Sequence, residues 1–120
     1  MSYNNNQTVN GTYTTQAQDV FDFIGKLSKE SPQVAQGFVT LHKAAGQDGA
    51  LSKKHKELMA LAIGITSRCE GCISCHVQDA INAGATHEEI VETIGVAVLM
   101  GGGPSIVYGD KAYKAMQEMM

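Results

Sequence analysis

The sequence predicts an all-α protein of five or six helices folded as one domain. Apolar residues recur at three- and four-residue spacing along most of the chain, and caps and prolines stand where helices should begin. No alternating strand pattern competes with them. A chain of 120 residues fits one domain and can bury roughly two-thirds of its unfolded surface, enough for a core without staples.

Residues 1 to about 13 are polar, rich in Asn and Thr and without periodicity, so a mobile tail is expected ahead of a single domain over 14–120. Val20, Phe23, Ile24 and Leu27 then predict a first helix over about 15–29. Ser31 followed by Pro32 reads as a cap with proline at the first helical position, and Val34, Phe38, Leu41 and Ala45 form the apolar face of a second helix ending in GQDG. Ser52 can cap a third, whose run LMALAIGI from Leu58 to Ile65 is apolar on nearly every side and predicts a central helix packed all round. A fourth begins near Cys69 and stops at Gly84. Thr86 and Glu89 match a capping box opening a fifth, with Ile90, Ile94 and Ala97 facing the core. The segment MGGGPS breaks it, and Pro104 suits the first turn of a last helix.

Composition narrows the function. Net charge is -3, and the one basic cluster, Lys53, Lys54, His55 and Lys56, reads as a solvated first helical turn, which argues against a nucleic-acid or anionic-membrane partner. Residues 1–20 lack a basic region followed by an apolar one, and no stretch approaches the roughly 20 apolar residues of a membrane span, so a cytoplasmic location is expected. In a reducing compartment three clustered cysteines suggest catalysis or metal binding rather than a structural disulfide framework.

Those cysteines lie in CEGCISCH, residues 69–76, which parses in three ways. Cys69 with Cys72 makes a redox C-x-x-C; Cys72, Cys75 and His76 spell the haem-attachment pattern C-x-x-C-H; all four together could ligate a metal. At 100 degrees per residue Cys69, Cys72 and His76 fall at about 0, 300 and 340 degrees round a helix, with Cys75 off that stripe at about 240. A C-x-x-C at a helix start gains thiolate stability from free amides and the helix dipole, and neutral His76 one turn on could accept or relay a thiol proton. Covalent haem normally belongs to exported proteins and needs a chain that wraps the ring, zinc sites usually draw on two separated segments, and a ferredoxin-type run lacks its fourth cysteine here.

Glu57, Cys69, Cys72 and His76, in ELMALAIGITSRCEGCISCH, match the E-x11-C-x2-C-x3-H signature, and the chain resembles the alkylhydroperoxidase D-like group of the carboxymuconolactone decarboxylase family. The following AINAGATHEEIVETIGVAVLMGGGPSI is similar to that group's next helix and glycine-rich break, so the resemblance covers roughly residues 33–118. It implies an alkylhydroperoxidase D-like helical bundle, assembled as a homo-oligomer, trimer or hexamer, with a thiol-disulfide site that reduces hydroperoxides without a cofactor or a metal. By resemblance, Cys72 attacks the peroxide, Cys69 resolves the sulfenic acid to a disulfide, and Glu57 with His76 relays protons. A dithiol donor, lipoyl-bearing or thioredoxin-like, then restores the pair.

The match departs from the group in two places. Gly71 stands where some members carry a second histidine, and Cys75 is an addition, read either as spectator or as auxiliary thiol. The decarboxylases that name the family lack the dithiol motif, so decarboxylation ranks below redox chemistry. A non-enzymatic redox-sensing or metal-binding module is the alternative. Without the resemblance Glu57 reads as an exposed acid near a helix start, His42 and His87 as solvated, and Met119 and Met120 as frayed. The glycines 101–103 read as a close backbone approach rather than a phosphate loop, since no strand precedes them.

Overall fold

The computed structural model describes residues 5–120, with side chains from residue 11 onward, and contains six helices in that span. They are α1 (Asn5–Glu30), α2 (Pro32–Gly46), α3 (Lys53–Thr66), α4 (Glu70–Asn82), α5 (His87–Gly101) and α6 (Gly103–Met119). No strand occurs among the described residues, so the fold is all-α as expected. The tail expected over 1–13 lies partly outside the described residues. The first helix starts well before residue 15, with a break at Gly11, whose φ of 141° is non-helical. Past that break the backbone amides of Tyr13 and Thr14 donate to the Glu118 carboxylate of α6, at 2.9 and 2.8 Å.

The caps behave as their chemistry requires. The Ser52 side chain accepts from the His55 amide, and Thr86 and Glu89 close a full reciprocal capping box. Helix α4 ends as Gly84 takes a φ of 95°, with the Ala85 amide returning to the Ala80 carbonyl. Ser31 is the exception. It precedes Pro32 as expected but its side chain makes no capping bond.

Leu61, Ile65, Ile73, Val77, Ile90, Ala97, Ala112 and Met116 are fully or almost fully buried, drawn from α3 to α6. Helix α3 packs against α4, α5 and α6, whereas α2 lies at the edge against α1 and touches α3 only lightly. The glycine break sets how closely the last two helices meet. Gly102, with φ 68°, turns the chain, and a Cβ at Gly101 would collide with the Ser105 hydroxyl oxygen and stand 3.2 Å from Thr66 Cγ2.

Two expectations about packing need correction. The faces assigned to the first two helices do not enter the core: Phe23 is 60 % exposed, Val34 62 % and Leu41 65 %, and in α2 only Ala35 is buried. Helix α3 is likewise not enclosed on all sides, because Met59 and Ile63 face outward. Periodicity identifies residues that share a stripe, but not what covers the stripe. At the other end Met119 packs against the core rather than fraying.

Candidate active site

Gly64 explains how the dithiol reaches its position. The Cys69 amide donates to the Gly64 carbonyl at 3.0 Å, and a Cβ at Gly64 would come within 3.3 Å of Cys72 Cβ. A larger residue in α3 would therefore push the start of α4 away. The short connection over residues 67–69, with Arg68 in the left-handed region at φ 58°, makes α3 and α4 antiparallel neighbours. Moving along α4 from Cys72 thus means moving back along α3 from Gly64 towards Glu57.

This antiparallel register brings His76 beside Glu57. The His76 Nδ1 to Glu57 Oε1 distance is 2.8 Å, and Glu57 is only 5 % exposed. The reading of Glu57 as an exposed acid is thereby corrected. Its burial has a sequence signal after all, since residues 57, 61 and 65 repeat every four positions and the last two are core residues. A carboxylate carried inward on that face needs a partner, and the imidazole supplies it.

Cys69 occupies the N-cap of α4, where its sulfur accepts from the Cys72 amide at 3.2 Å. The two sulfurs are bonded as a disulfide, with Cα atoms 5.2 Å apart. Cys69 and Cys72 are both partly exposed, and both line a cavity of about 520 Å³ together with His76. Part of the apolar faces of α1 and α2 is used here, although Phe23, Val34 and Leu41 do not line the cavity. Val20, Phe21 and Ile24 of α1 and Phe38 and Val39 of α2 make the walls of that cavity.

Three further residues of the cavity, His42, Asp79 and Cys75, were not placed on the working face by the sequence. His42, expected to be solvated, is exposed yet its ring stacks on that of His76 with centroids 6.3 Å apart and an 18° interplanar angle. Nothing local in the sequence announces it, because it comes from α2. Asp79 lies three residues beyond His76 and close to Cys72 on the helical wheel, a signal that was available. Burial, reinforced by the nearby Glu57 charge and opposed by His76 and His42, raises its carboxyl above the usual range. Cys75 is the third, and it lines the same cavity although it lies off the stripe. It is the free thiol of the chain, pushed up to about 11 by burial and then by the Asp79 charge. His87 is exposed as expected, edge-on to Tyr113.

An all-helical chain with a Cys-x-x-Cys at a helix start, opening on a cavity beside a buried Glu–His pair, defines a thiol-bearing helical protein class. The chain belongs to the carboxymuconolactone decarboxylase family, whose model matches residues 32–115. That family includes decarboxylases and alkylhydroperoxidases. An uncharacterized protein of Cupriavidus necator is 36% identical over 88 residues, covering 73% of this chain and 78% of that protein. Protein 4 of the cox locus of Paracoccus denitrificans is 35% identical over 96 residues, covering 80% and 86%. Among solved structures, a carboxymuconolactone decarboxylase family protein from Legionella pneumophila superposes with a TM-score of 0.87 at 42% identity, over 91% of this chain and 97% of that one. A Thermotoga maritima family member, for which an antioxidative role has been suggested, gives a TM-score of 0.78 at 28% identity, over 88% and 90%.

Proposed function

We propose that the protein is a thiol-dependent peroxide reductase that cycles through the Cys69–Cys72 disulfide. The observation that carries this reading is the buried Glu57 bonded to His76 at the wall of the cavity on which both cysteines open. In the reduced state the Cys72 thiolate attacks the distal oxygen of a hydroperoxide, the O–O bond breaks, and the leaving alkoxide takes a proton through His76. The Cys69 thiol then attacks the Cys72 sulfenic acid, forming the disulfide and releasing water. A lipoyl-bearing or thioredoxin-like dithiol returns two electrons and two protons, and its own sulfurs leave as a disulfide. The suggested antioxidative role of the Thermotoga relative and the alkylhydroperoxidase members of the family support this reading.

The reading carries a cytoplasmic location, where such donors keep dithiols reduced. Among the described residues no helix is long and apolar enough to cross a membrane. It also carries a homo-oligomer, trimer or hexamer. A peroxide-consumption assay with dithiol donors tests the chemistry. Cys72→Ser is expected to abolish turnover and Cys75→Ser to spare most of it; full activity of Cys72→Ser would overturn the proposal.

A second reading, thiol-disulfide exchange without peroxide, is favoured by the Cys72 amide directed at Cys69 Sγ, which stabilises a thiolate on the first cysteine. Under that reading the reduced protein reduces a model disulfide but leaves peroxide untouched.

A further inference from the structure

Asp79 takes no part in the dithiol cycle, yet its carboxylate converges on Glu57 and His76. One donor atom from each of the three lies within 4.8 Å of the other two. Glu57 is buried and Asp79 half-buried, and among the described residues neither is ion-paired with a lysine or arginine. Only Glu57 is bonded to the imidazole, and Asp79 stands within 4.8 Å of both, so two carboxylates face one imidazole in a partly enclosed place where a divalent cation would offset their charge.

The donor chemistry narrows the ion. Two carboxylate oxygens and one imidazole nitrogen suit zinc and neighbouring transition ions, whereas magnesium prefers oxygen donors and keeps most of its water. Zinc bonds of about 2.0–2.2 Å would set tetrahedral donors about 3.4 Å apart. Reaching that spacing requires a swing of the half-buried Asp79 carboxylate and a slight parting of Glu57 from His76, now 2.8 Å apart. His76 and Asp79 both line the cavity, which provides the route in, and Cys75 and His42 add a sulfur and a second nitrogen along the same wall.

We infer that Glu57, His76 and Asp79 form a binding site for a zinc-class divalent ion, and that the bound ion reversibly blocks the redox site. An ion held between Glu57 Oε1 and His76 Nδ1 occupies the place of the proton they share, so the two states are mutually exclusive. Binding follows from the donor set alone; only the inhibitory half rests on the peroxide-reductase reading.

Zinc chloride titrated into the disulfide form of the full chain, followed by calorimetry with a 100-fold excess of magnesium present, tests the site. The expected result is one ion per chain, with affinity at least tenfold weaker in Asp79→Asn and in Asp79→Ser and unchanged in His87→Gln, melting curves confirming that each variant is folded. Absence of binding in the wild type, or equal affinity in folded Asp79 variants, overturns the site. Peroxide consumption is then measured with and without zinc, each variant relative to its own metal-free rate. At least a tenfold loss in the wild type, reversed by a chelator and reduced in the Asp79 variants, supports inhibition; a zinc-loaded protein that retains its full rate overturns it. A wild type that binds zinc but consumes no peroxide even without metal refutes the redox reading and the inhibition, while the binding site stands.

Discussion

Glu57 and Cys75 show how burial changes what a side chain can do. Glu57 sits on the core face of α3 and has His76 as its hydrogen-bonded partner, so it can hold or pass a proton without meeting bulk water. Glu57→Gln keeps the shape and the acceptor but not the charge. Peroxide turnover is expected to fall by about 100-fold or more with little change in melting temperature; an unchanged rate would remove Glu57 from the relay. Cys75 is the opposite case, a thiol that burial and the Asp79 charge keep protonated, near 11. At pH 8 its alkylation in the disulfide form should be roughly 100-fold slower than that of an ordinary thiol in the unfolded chain, because the thiolate fraction falls by that factor. The linkage has a definite sign. The unfolded chain releases this proton from about pH 9 and the folded chain only near 11, so Cys75 contributes to a loss of stability as pH rises through that window. Urea midpoints of wild type and Cys75→Ser between pH 8 and 11 would show the difference.

Among the elements, the caps at Ser52 and Thr86 were legible in the sequence, whereas the missing bond at Ser31 and the approach distances were not. A Ser or Thr ahead of a helical run can supply its own local bond, as Ser52 and Thr86 do and Ser31 does not. The glycine break before α6 was legible as a close approach, but only the packed structure shows what is approached. At Gly101 the neighbours are the exposed Thr66 and the buried Ser105, and it is Ser105 that has little room to move. Gly101→Ala is expected to cost about 1–3 kcal/mol in chemical denaturation, while Gly103→Ala, with nothing within 4 Å of its Cβ position, should change stability much less. Equal effects of the two would refute this account of the α5–α6 approach. The E-x11-C-x2-C-x3-H spacing has a similar basis: it is the register of two antiparallel helices held together at Gly64.

Across the whole molecule, apolar surface is distributed unevenly. Leu99 is 79 % exposed and Met100 77 %, with Val96, Ile106 and Val107 also exposed on the neighbouring turns of α5 and α6. Covering that surface by further copies of the chain would remove a large apolar area from water. Light scattering is therefore expected to give a mass of three or more chains, and Leu99→Lys should shift it towards the monomer. A monomeric wild type at micromolar concentration would contradict the oligomer.

Local rules are enough to determine the helices, most of their ends but not the start of α1, and the stripe that holds Cys69, Cys72 and His76, because each depends on residues a few positions apart. The family resemblance added Glu57 to that group. The tertiary structure alone decided that Glu57 is bonded to His76, that α1 and α2 wall a cavity instead of joining the core, and that His42 of α2 meets the α4 residues Cys75 and Asp79 there. These outcomes depend on which helix covers which face, and that is settled by packing between segments distant in sequence. Periodicity along a single segment carries no record of it.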